Sequence, residues 1–224
     1  MLEINTSLYA RQNKSKLNIV LNVLIILMVA ALFFEIIFAA NYSGIYVVGD
    51  SMLNTLTGAE NENAPGGDYV YVDKHKEPTY GDIVVVFKKS SNGETTIIKR
   101  VIAMGGDYVR LVRGKLEIKY KGESAFKTVE ESYVSKQNNN PNLSKNNFYA
   151  GTEGFFVDEG CLFLLGDNRN VSLDSRDGGE NGLPKNFPLK DLYGVVSDWS
   201  LNNKKFISSV HKYFSFDLPG YFGL

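Results

Sequence analysis

Three short segments of the sequence carry side chains that can do chemistry, and the first contains a serine on a predicted turn. Ser51 follows Gly49 directly after an apolar strand, in the segment Gly49–Leu56. A glycine two residues before a serine allows a sharp turn, which exposes the hydroxyl and leaves backbone N–H groups free to stabilise an oxyanion. The pattern is too short to be specific, because a serine in an ordinary strand-end turn fits it equally well.

The second segment places a lysine inside a β-branched strand. Lys99 lies in the predicted strand Thr95–Ala103, where the period-two alternation puts it on the same face as Ile97 and Val101. If that face is buried, loss of water lowers the lysine pKa from about 10.4 toward neutrality. The neutral amine can then take a proton from a serine. The alternative is a solvent-exposed lysine that protects an edge strand.

The third segment, Gly166–Asp177, is a dense set of Asp, Asn, Ser and Arg residues. Arg176 can form a charge-assisted pair with Asp174 or Asp167, and Ser172 can orient an amine. A polar loop with Asx turns is the simpler interpretation. A calcium loop is disfavoured, because the segment contains two arginines and lacks the 12-residue EF-hand spacing.

The elements that must position these groups begin with a membrane span. Leu17–Ala40 contains only three polar residues, and a helix of that length rises about 36 Å, enough to cross a bilayer of about 30 Å. A cleavable signal peptide has a shorter apolar region, which favours a retained anchor. Arg11, Lys14 and Lys16 precede the span, and residues 41–73 contain no Lys or Arg. The N-terminus is therefore predicted to be cytoplasmic and the remainder extracytoplasmic.

The remainder predicts a mainly β fold, an antiparallel sheet or barrel on one N-terminal transmembrane helix. Short β-branched and aromatic runs alternate with Gly, Asn and Asp turns, which is typical of antiparallel strands rather than βαβ units. The predicted strands are Ile45–Val48, Tyr69–Asp73, Asp82–Lys88, Thr95–Ala103, Tyr108–Val112, Lys115–Tyr120, Cys161–Leu165 and Gly194–Asp198.

The segments between and after the strands differ in kind. Arg113-Gly114 and Ser91–Gly93 are predicted tight turns. Lys136–Asn147 holds six asparagines and is predicted to be a loop or a partly disordered excursion. Apolar residues recur at helical spacing in Lys204–Phe214, which predicts a short helix packed on the sheet. An interfacial membrane helix is the alternative interpretation of that pattern.

These elements suggest a domain order. We expect a cytoplasmic N-terminus at residues 1–16, the anchor at 17–40, an extracytoplasmic catalytic domain at 41–200 with a smaller inserted subregion at 107–165, and a tail at 201–224 that includes the short helix.

Composition excludes several classes of protein. Lys and Arg number 24 against 25 Asp and Glu, so no basic surplus exists for binding nucleic acid. Cys161 is the only cysteine, which excludes an intrachain disulfide. The two histidines, His75 and His211, leave little room for a metal site, and we expect no metal or cofactor.

In their order along the chain, the reactive segments resemble the four boxes of bacterial type I signal peptidases. The resemblance covers Leu17 to about Trp199, and the single anchor is more similar to the Gram-positive form than to the two-anchor form. The matching segments are Gly49-Asp50-Ser51-Met52, Gly81-Asp82-Ile83-Val84, Lys99-Arg100-Val101-Ile102-Ala103-Met104-Gly105-Gly106-Asp107 and Gly166-Asp167-Asn168-Arg169 with Ser172 and Asp174-Ser175-Arg176.

The resemblance implies a membrane-bound serine endopeptidase that removes N-terminal signal peptides from exported preproteins. By motif position, Ser51 is implied as the nucleophile and Lys99 as the general base. Ser172 is implied to hold the lysine amine, and Asp174 and Arg176 to brace the last box. The implied location is the plasma membrane, with a single pass, and the implied partners are preproteins and the bilayer. The sequence does not determine an oligomeric state.

The resemblance also implies substrate pockets and shows two departures. The implied pocket residues are Val47, Met52, Leu56, Ile97 and Ile98, whose bulk makes pockets shallow enough for alanine-sized side chains, as in an A-x-A cleavage site. The family usually has proline at the position of Asn54, and two-anchor members carry a serine at the position of Gly49, whose hydroxyl helps to form the oxyanion hole.

Two functions from other classes compete with this interpretation. A sortase-like transpeptidase is also an anchored extracellular β protein, and it requires Cys161, a histidine and an arginine in contact. A non-catalytic, membrane-tethered binding module is the other alternative, and it would keep its whole function in Ser51→Ala.

Overall fold

The computed structural model describes residues 2–90, 93–178 and 182–214, and the chain divides into two units, residues 1–42 and 43–224. The first unit is helix α1 (Leu2–Asn41). Among the described residues, it is the one helix whose length and apolar composition suffice to cross a membrane, over Lys16–Asn41. These 26 residues rise about 39 Å, and no side chain of their most apolar stretch is buried in the protein.

The second unit consists mainly of β-strands. Within the described residues, the strands are β1 (Tyr42–Tyr46), β2 (Tyr69–Asp73), β3 (Ile83–Ser90), β4 (Gly93–Met104), β5 (Tyr108–Val112), β6 (Lys115–Lys119), β7 (Lys127–Thr128), β8 (Phe155–Phe156), β9 (Cys161–Leu165), β10 (Phe187–Pro188) and β11 (Leu192–Val196). They form a seven-stranded sheet in the order β1-β2-β11-β3-β4-β9-β10 and a four-stranded sheet in the order β7-β6-β5-β8.

The predicted mainly β, antiparallel class is confirmed, but the sheet is not a closed barrel. In the part of the chain that the structure describes, β1 and β10 end the larger sheet and do not pair with each other. Strand β10 has only two residues, and Pro188 lacks the N–H group that would extend the ladder. The smaller sheet uses strands from residues 108–156. All eight predicted strands occur, with ends shifted by up to three residues, whereas the two-residue strands β7, β8 and β10 were not predicted.

The strand that carries Lys99 lies inside the larger sheet, between β3 and β9. Ile83 to Val86 of β3 are all buried, so this strand contacts apolar clusters on both of its faces. Strand β4 pairs with β3 along its length, and Lys99 lies opposite Val84. Strand β9 pairs with β4 only between Arg100 and Met104. The edge of β4 before Arg100 is therefore open on the side away from β3.

The turns and the tail largely follow the sequence. Arg113 and Gly114 have φ values of 49° and 75°, as a tight hairpin turn requires. The helix predicted at Lys204–Phe214 is present as α3, after a short helix α2 (Asp198–Asn202). The turn predicted at Ser91–Gly93 lies partly outside the described residues.

The asparagine-rich loop is bound into the fold rather than disordered. It contains two 3₁₀ turns, Lys136–Asn138 and Ser144–Asn147. The Asn146 side chain is fully buried. Its amide donates to the carbonyl of Asn140 at 2.8 Å, so the asparagines satisfy the loop backbone from within.

Candidate active site

Ser51 lies on a tight turn between strands β1 and β2. Gly49 has a φ of 76°, in the left-handed region that favours glycine, and its N–H donates to Ala59 O at 2.8 Å. The N–H of Leu56 donates to Met52 O at 2.9 Å, which closes the turn after the serine. Ser51 itself is half-buried. Its N–H donates no hydrogen bond within the described residues, so this donor is available to a ligand.

Lys99 reaches Ser51 from the middle of strand β4. The residue is only 4% exposed. Its Nζ lies 2.9 Å from Ser51 Oγ and donates to the carbonyl of Ile98 at 2.8 Å. The structure therefore brings together the two residues that the sequence suggests as base and nucleophile.

The environment of Lys99 favours the neutral amine. Burial lowers its pKa from 10.5 to about 8, and this effect outweighs the carboxylates of Asp174 and Asp167, which raise it. Lys88 and Arg176 lower the pKa further. Among the described residues, no carboxylate lies within ion-pair distance of Lys99 Nζ. A buried lysine without an ion-pair partner can supply a base near neutral pH.

Asp174 and Arg176 form a buried bidentate pair behind the lysine. Arg176 Nε and Nη2 donate to the two carboxylate oxygens of Asp174 at 2.9 and 2.8 Å. Arg176 Nη1 also donates to Asn146 Oδ1 at 2.5 Å, and the Gly166 N–H donates to Asp174 at 3.1 Å. Burial alone would raise the pKa of Asp174, but Arg176 and Gly166 lower it more, so the net shift is downward.

Ser172 is fully buried next to Gly166. A Cβ at position 166 would lie 2.2 Å from Ser172 Oγ, so only glycine fits there. The Oγ makes no hydrogen bond of good geometry within the described residues, although it lies close enough to the Asp174 carboxylate to help lower its pKa. The predicted contact between Ser172 and the Lys99 amine is thus not formed in this structure, and its role stays a prediction.

A second buried ion pair lies on the other side of strand β4. Arg100 donates to Asp167 from Nε at 2.8 Å and from Nη2 at 2.6 Å, and Nη1 donates to Gly81 O at 2.7 Å. Thr55 Oγ1 donates to the same carboxylate. Asn168 N–H donates to Ser51 O at 3.0 Å. The segment Gly166–Asp177 therefore contacts the turn around Ser51 at two points, through Asp167 to Thr55 and through Asn168 to Ser51.

Arg100 and Thr55 had no predicted role, and Asp167 was predicted only as an alternative partner of Arg176. An arginine inside a buried strand was a usable signal, because such a charge is retained only with a partner. Nothing in the sequence pointed to Thr55.

A cleft of about 400 Å³ opens beside the serine and the lysine. Three of the five predicted pocket residues, Val47, Ile97 and Ile98, line it. Met52 and Leu56 do not, because both are buried in the apolar cluster behind the cleft. The cleft is lined by Gly44, Ile45, Tyr46, Val47, Val48, Ser51, Glu62, Val85, Thr96, Ile97, Ile98 and Lys99.

A smaller cleft of about 300 Å³ also reaches Ser51 and Lys99. It includes Val171 and Leu173 from the last box, which are 57% and 54% exposed. Both clefts therefore reach the Ser51–Lys99 pair, from different sides.

Asn54 and Gly49, where the sequence departs from the family pattern, both have positive φ. Asn54 has a φ of 88°, which asparagine tolerates and the proline ring forbids. The turn after the serine thus has a geometry that the usual proline could not adopt. At Gly49 a side chain would meet no atom but would be strained by the φ of 76°.

The groups that a sortase-like site requires are dispersed. Cys161 packs against the apolar cluster of the smaller sheet, and burial raises the pKa of its thiol, which disfavours the thiolate. His211 stacks on Tyr69 at 3.8 Å between ring centroids, and His75 is exposed on a turn.

Comparisons with known proteins cover the reactive segments. A family model described as "Signal peptidase, peptidase S26" matches residues 17–198. Signal peptidase I U of Bacillus subtilis (strain 168) is 31% identical over 198 residues, which cover 87% of this chain and 93% of the relative. Signal peptidase I of Rickettsia bellii (strain OSU 85-389) is 30% identical over 136 residues, which cover 49% of this chain and 46% of the relative.

A solved structure is also similar. The crystal structure of a signal peptidase I from Enterococcus faecalis V583 is 27% identical and has a TM-score of 0.38, covering 55% of this chain and 98% of that chain. Ser51, Lys99 and the segment 166–177 all lie within the family match, whereas helix α3 begins after it ends.

Proposed function

The chain belongs to the signal peptidase family, peptidase S26, and we propose that Ser51 and Lys99 are the dyad with which it cleaves signal peptides from preproteins. The family consists of signal peptidases, which are serine peptidases, so its substrates are preproteins that carry signal peptides. The observation that carries the dyad is the 2.9 Å contact between Lys99 Nζ and Ser51 Oγ. It supports the assignment because the lysine is buried and its pKa is lowered to about 8.

Acylation starts with the neutral Lys99 amine accepting the Ser51 hydroxyl proton. The Oγ attacks the scissile carbonyl carbon, and the resulting oxyanion is stabilised by the free Ser51 N–H. The Lys99 ammonium then donates its proton to the departing nitrogen, which becomes the new N-terminus of the mature protein. The signal peptide stays bound to Ser51 as an ester.

Deacylation repeats the same proton movements with water. Lys99, neutral again, accepts a proton from a water molecule that attacks the ester carbonyl. The tetrahedral intermediate collapses, Ser51 Oγ regains a proton from Lys99, and the signal peptide leaves with a new carboxylate. A hydrogen bond donated by the Lys99 amine to Ser172 Oγ would hold Lys99 in place through this cycle.

Specificity for small side chains is supported by the cleft. A substrate can bind as an extended strand, because the β4 edge before Arg100 is open and β1 ends the sheet. Strand alternation then directs the first and third residues before the scissile bond toward the walls formed by Val47, Ile97 and Ile98. These bulky walls favour alanine-sized residues, as in an A-x-A site.

We also propose how the chain lies in the plasma membrane. Helix α1 spans the bilayer once over residues 17–40, with residues 1–16 in the cytoplasm and the catalytic domain, 41–200, outside. Ser51 is eleven residues beyond Ala40, so even an extended link reaches only about 36 Å. The nucleophile therefore works close to the outer membrane surface, where a signal peptide presents its cleavage site.

The test is cleavage of one purified preprotein by the full chain in detergent. Ser51→Ala and Lys99→Ala should each remove nearly all activity, and the double variant should be little worse, because the two groups act as a unit. Ser124→Ala and Lys115→Ala, both at exposed positions, are matched controls. Loss of less than about tenfold in either dyad variant, which is about 1.4 kcal/mol, would refute the assignment.

A further inference from the structure

Helix α3 is attached to the catalytic unit by its polar side. Lys204 Nζ donates to Asp68 Oδ2 at 2.9 Å. Ser208 Oγ accepts from the N–H of Tyr69 at 2.8 Å. His211 stacks on the Tyr69 ring with an interplanar angle of 17°. These residues recur at positions i, i+4 and i+7, so they form one face of the helix.

The apolar side chains of the helix point in the opposite direction. Phe206, Val210 and Tyr213 are 71%, 39% and 78% exposed, and their spacing places them on a single stripe. Ile207 lies on the inner side and is half-buried. A helix packed on a soluble core normally buries its apolar stripe. In α3 this orientation is reversed, so the stripe is available to an apolar environment outside the protein.

The charge of the helix indicates what kind of surface covers the stripe. Residues 204–214 contain three lysines and no acidic residue, although the whole chain has a net charge of −1. Lys205 and Lys212 are exposed, and at 3.6 residues per turn they lie on the same side of the helix, about two turns apart, next to the stripe. Basic residues beside exposed aromatic and aliphatic ones are typical of helices that lie in the headgroup region of anionic membranes.

We propose that the outer face of α3, formed by Phe206, Val210 and Tyr213, docks onto the anionic bilayer that holds helix α1. The helix lies beyond the residues that the family model matches, 17–198. The inference rests on the proposed anchor and is independent of the proposed dyad. Its consequence is a second attachment of the catalytic unit to the membrane, made by the same helix whose inner face contacts Tyr69 and Asp68.

A spin label tests this docking in the full chain. Val210→Cys is labelled in a Cys161→Ala background and reconstituted into vesicles of phosphatidylcholine and phosphatidylglycerol. Glu153→Cys, at an exposed position far along the chain from α3, is the matched control. We expect the label at 210 to lie about 5–10 Å below the headgroup boundary, with more collisions with oxygen than with a water-soluble nickel complex. The label at 153 should show the reverse.

The outcomes distinguish failure of the α1 anchor from failure of the α3 docking, and lipid from a second copy of the chain as the partner of α3. Flotation of the vesicles checks the anchor first, and a chain that does not float overturns the anchor and this inference together. If the chain floats and the label at 210 is accessible to the nickel complex, only this inference is overturned. Broadening between two labels would assign the face to a second copy of the chain and also overturn it. Tyr213→Cys provides the same readings if the first variant fails to cleave a preprotein.

The lipid composition tests the electrostatic part of the inference. In pure phosphatidylcholine the protection of the label at 210 should be weaker than in the anionic vesicles, because Lys205 and Lys212 lose their counter-charge. Equal protection in the two lipid mixtures would overturn the assignment to an anionic surface.

Discussion

Lys99 and Arg100 are neighbours on strand β4, both are buried, and their surroundings differ in one decisive respect. Arg100 donates to both oxygens of Asp167, whereas Lys99 has the Ser51 hydroxyl and a backbone carbonyl as its hydrogen-bond partners. Burial without a carboxylate partner lowers the lysine pKa to about 8. The same strand thus carries a lysine whose pKa suits the proposed base and, next to it, an arginine held in a buried ion pair.

Arg100 and Lys99 represent two ways in which a protein accommodates a buried basic side chain. A buried charge is expensive, and a protein offsets that cost either by pairing the charge or by shifting its pKa. Arginine suits the first solution, because it stays protonated and donates in a bidentate geometry. Lysine suits the second, because its pKa shifts readily on burial.

The largest loss of activity is expected when an arginine replaces the buried lysine. Lys99→Arg keeps the positive charge but removes the titratable amine, so no base remains. We expect kcat/KM for a preprotein to fall by at least about 100-fold. Lys115→Arg, on the exposed face of β6, is the control, and its kcat/KM should equal that of the wild type. Substantial activity in Lys99→Arg would mean that charge alone suffices.

The complementary change removes the buried ion pair between Arg100 and Asp167. Arg100→Met leaves the Asp167 carboxylate buried without its partner, which should cost about 3–5 kcal/mol of stability. The thermal midpoint of the full chain in detergent should fall by at least about 6 °C. The double variant Arg100→Met with Asp167→Leu should recover part of this loss. If Arg100→Met unfolds at the wild-type temperature, the Arg100–Asp167 pair does not stabilise the fold.

A smaller effect is expected where helix α3 contacts the serine loop. Lys204 donates to the carbonyl of Thr55 and to Asp68, and Thr55 also contacts Asp167. Lys204→Met should loosen the loop and lower kcat by about tenfold, or about 1.4 kcal/mol, with KM unchanged.

Two further variants separate positioning from general destabilisation. Lys204→Arg should restore most of kcat, because it keeps the donor and the charge. Lys205→Met changes the adjacent exposed lysine and should have the wild-type kcat in detergent, where no anionic bilayer is present. Equal losses at positions 204 and 205 would contradict a specific role for Lys204.

The smallest expected effect concerns the cleft walls. Ile97→Ala should widen the tolerated side chains at one of the two small substrate positions, because Ile97 lines the cleft. Met52→Ala should lower stability without changing selectivity, because Met52 is fully buried outside the cleft. Cleavage of substrates with Ala→Val replacements at each position measures both. Unchanged selectivity in Ile97→Ala would show that the pocket lies elsewhere.

Local patterns made Ser51 and Lys99 candidates, but each pattern alone left a non-catalytic interpretation open. Ser51 follows a glycine at a strand end, and Lys99 interrupts a β-branched strand whose alternation determines its face. The long strands were found for the same reason, since apolar periodicity is a local signal. The family resemblance then gave these residues their expected roles.

Contacts between distant segments could not be predicted in this way. The partner of Arg100 is 67 positions away, at Asp167, and Asn146 reaches Arg176 from the asparagine-rich loop. Such pairs depend on how loops pack, which no local pattern encodes. Met52 was assigned to a pocket by motif position alone, although the turn directs it into the core.

The orientation of α3 was likewise open. Its periodicity predicted a helix, but the pattern alone favoured burying the apolar stripe against the sheet. Polar contacts from Lys204, Ser208 and His211 instead hold the opposite face. Tertiary hydrogen bonds and ring stacking overrode the hydrophobic pattern at this helix.

The pH dependence of kcat/KM for one preprotein shows directly whether Lys99 is the base. Lys99 must be neutral to act as the base, and its pKa is lowered to about 8. The rate should rise about tenfold per pH unit below this value and level off above it. A profile that is flat between about pH 6 and 10, or a midpoint near the ordinary lysine pKa of about 10.4, would contradict the account.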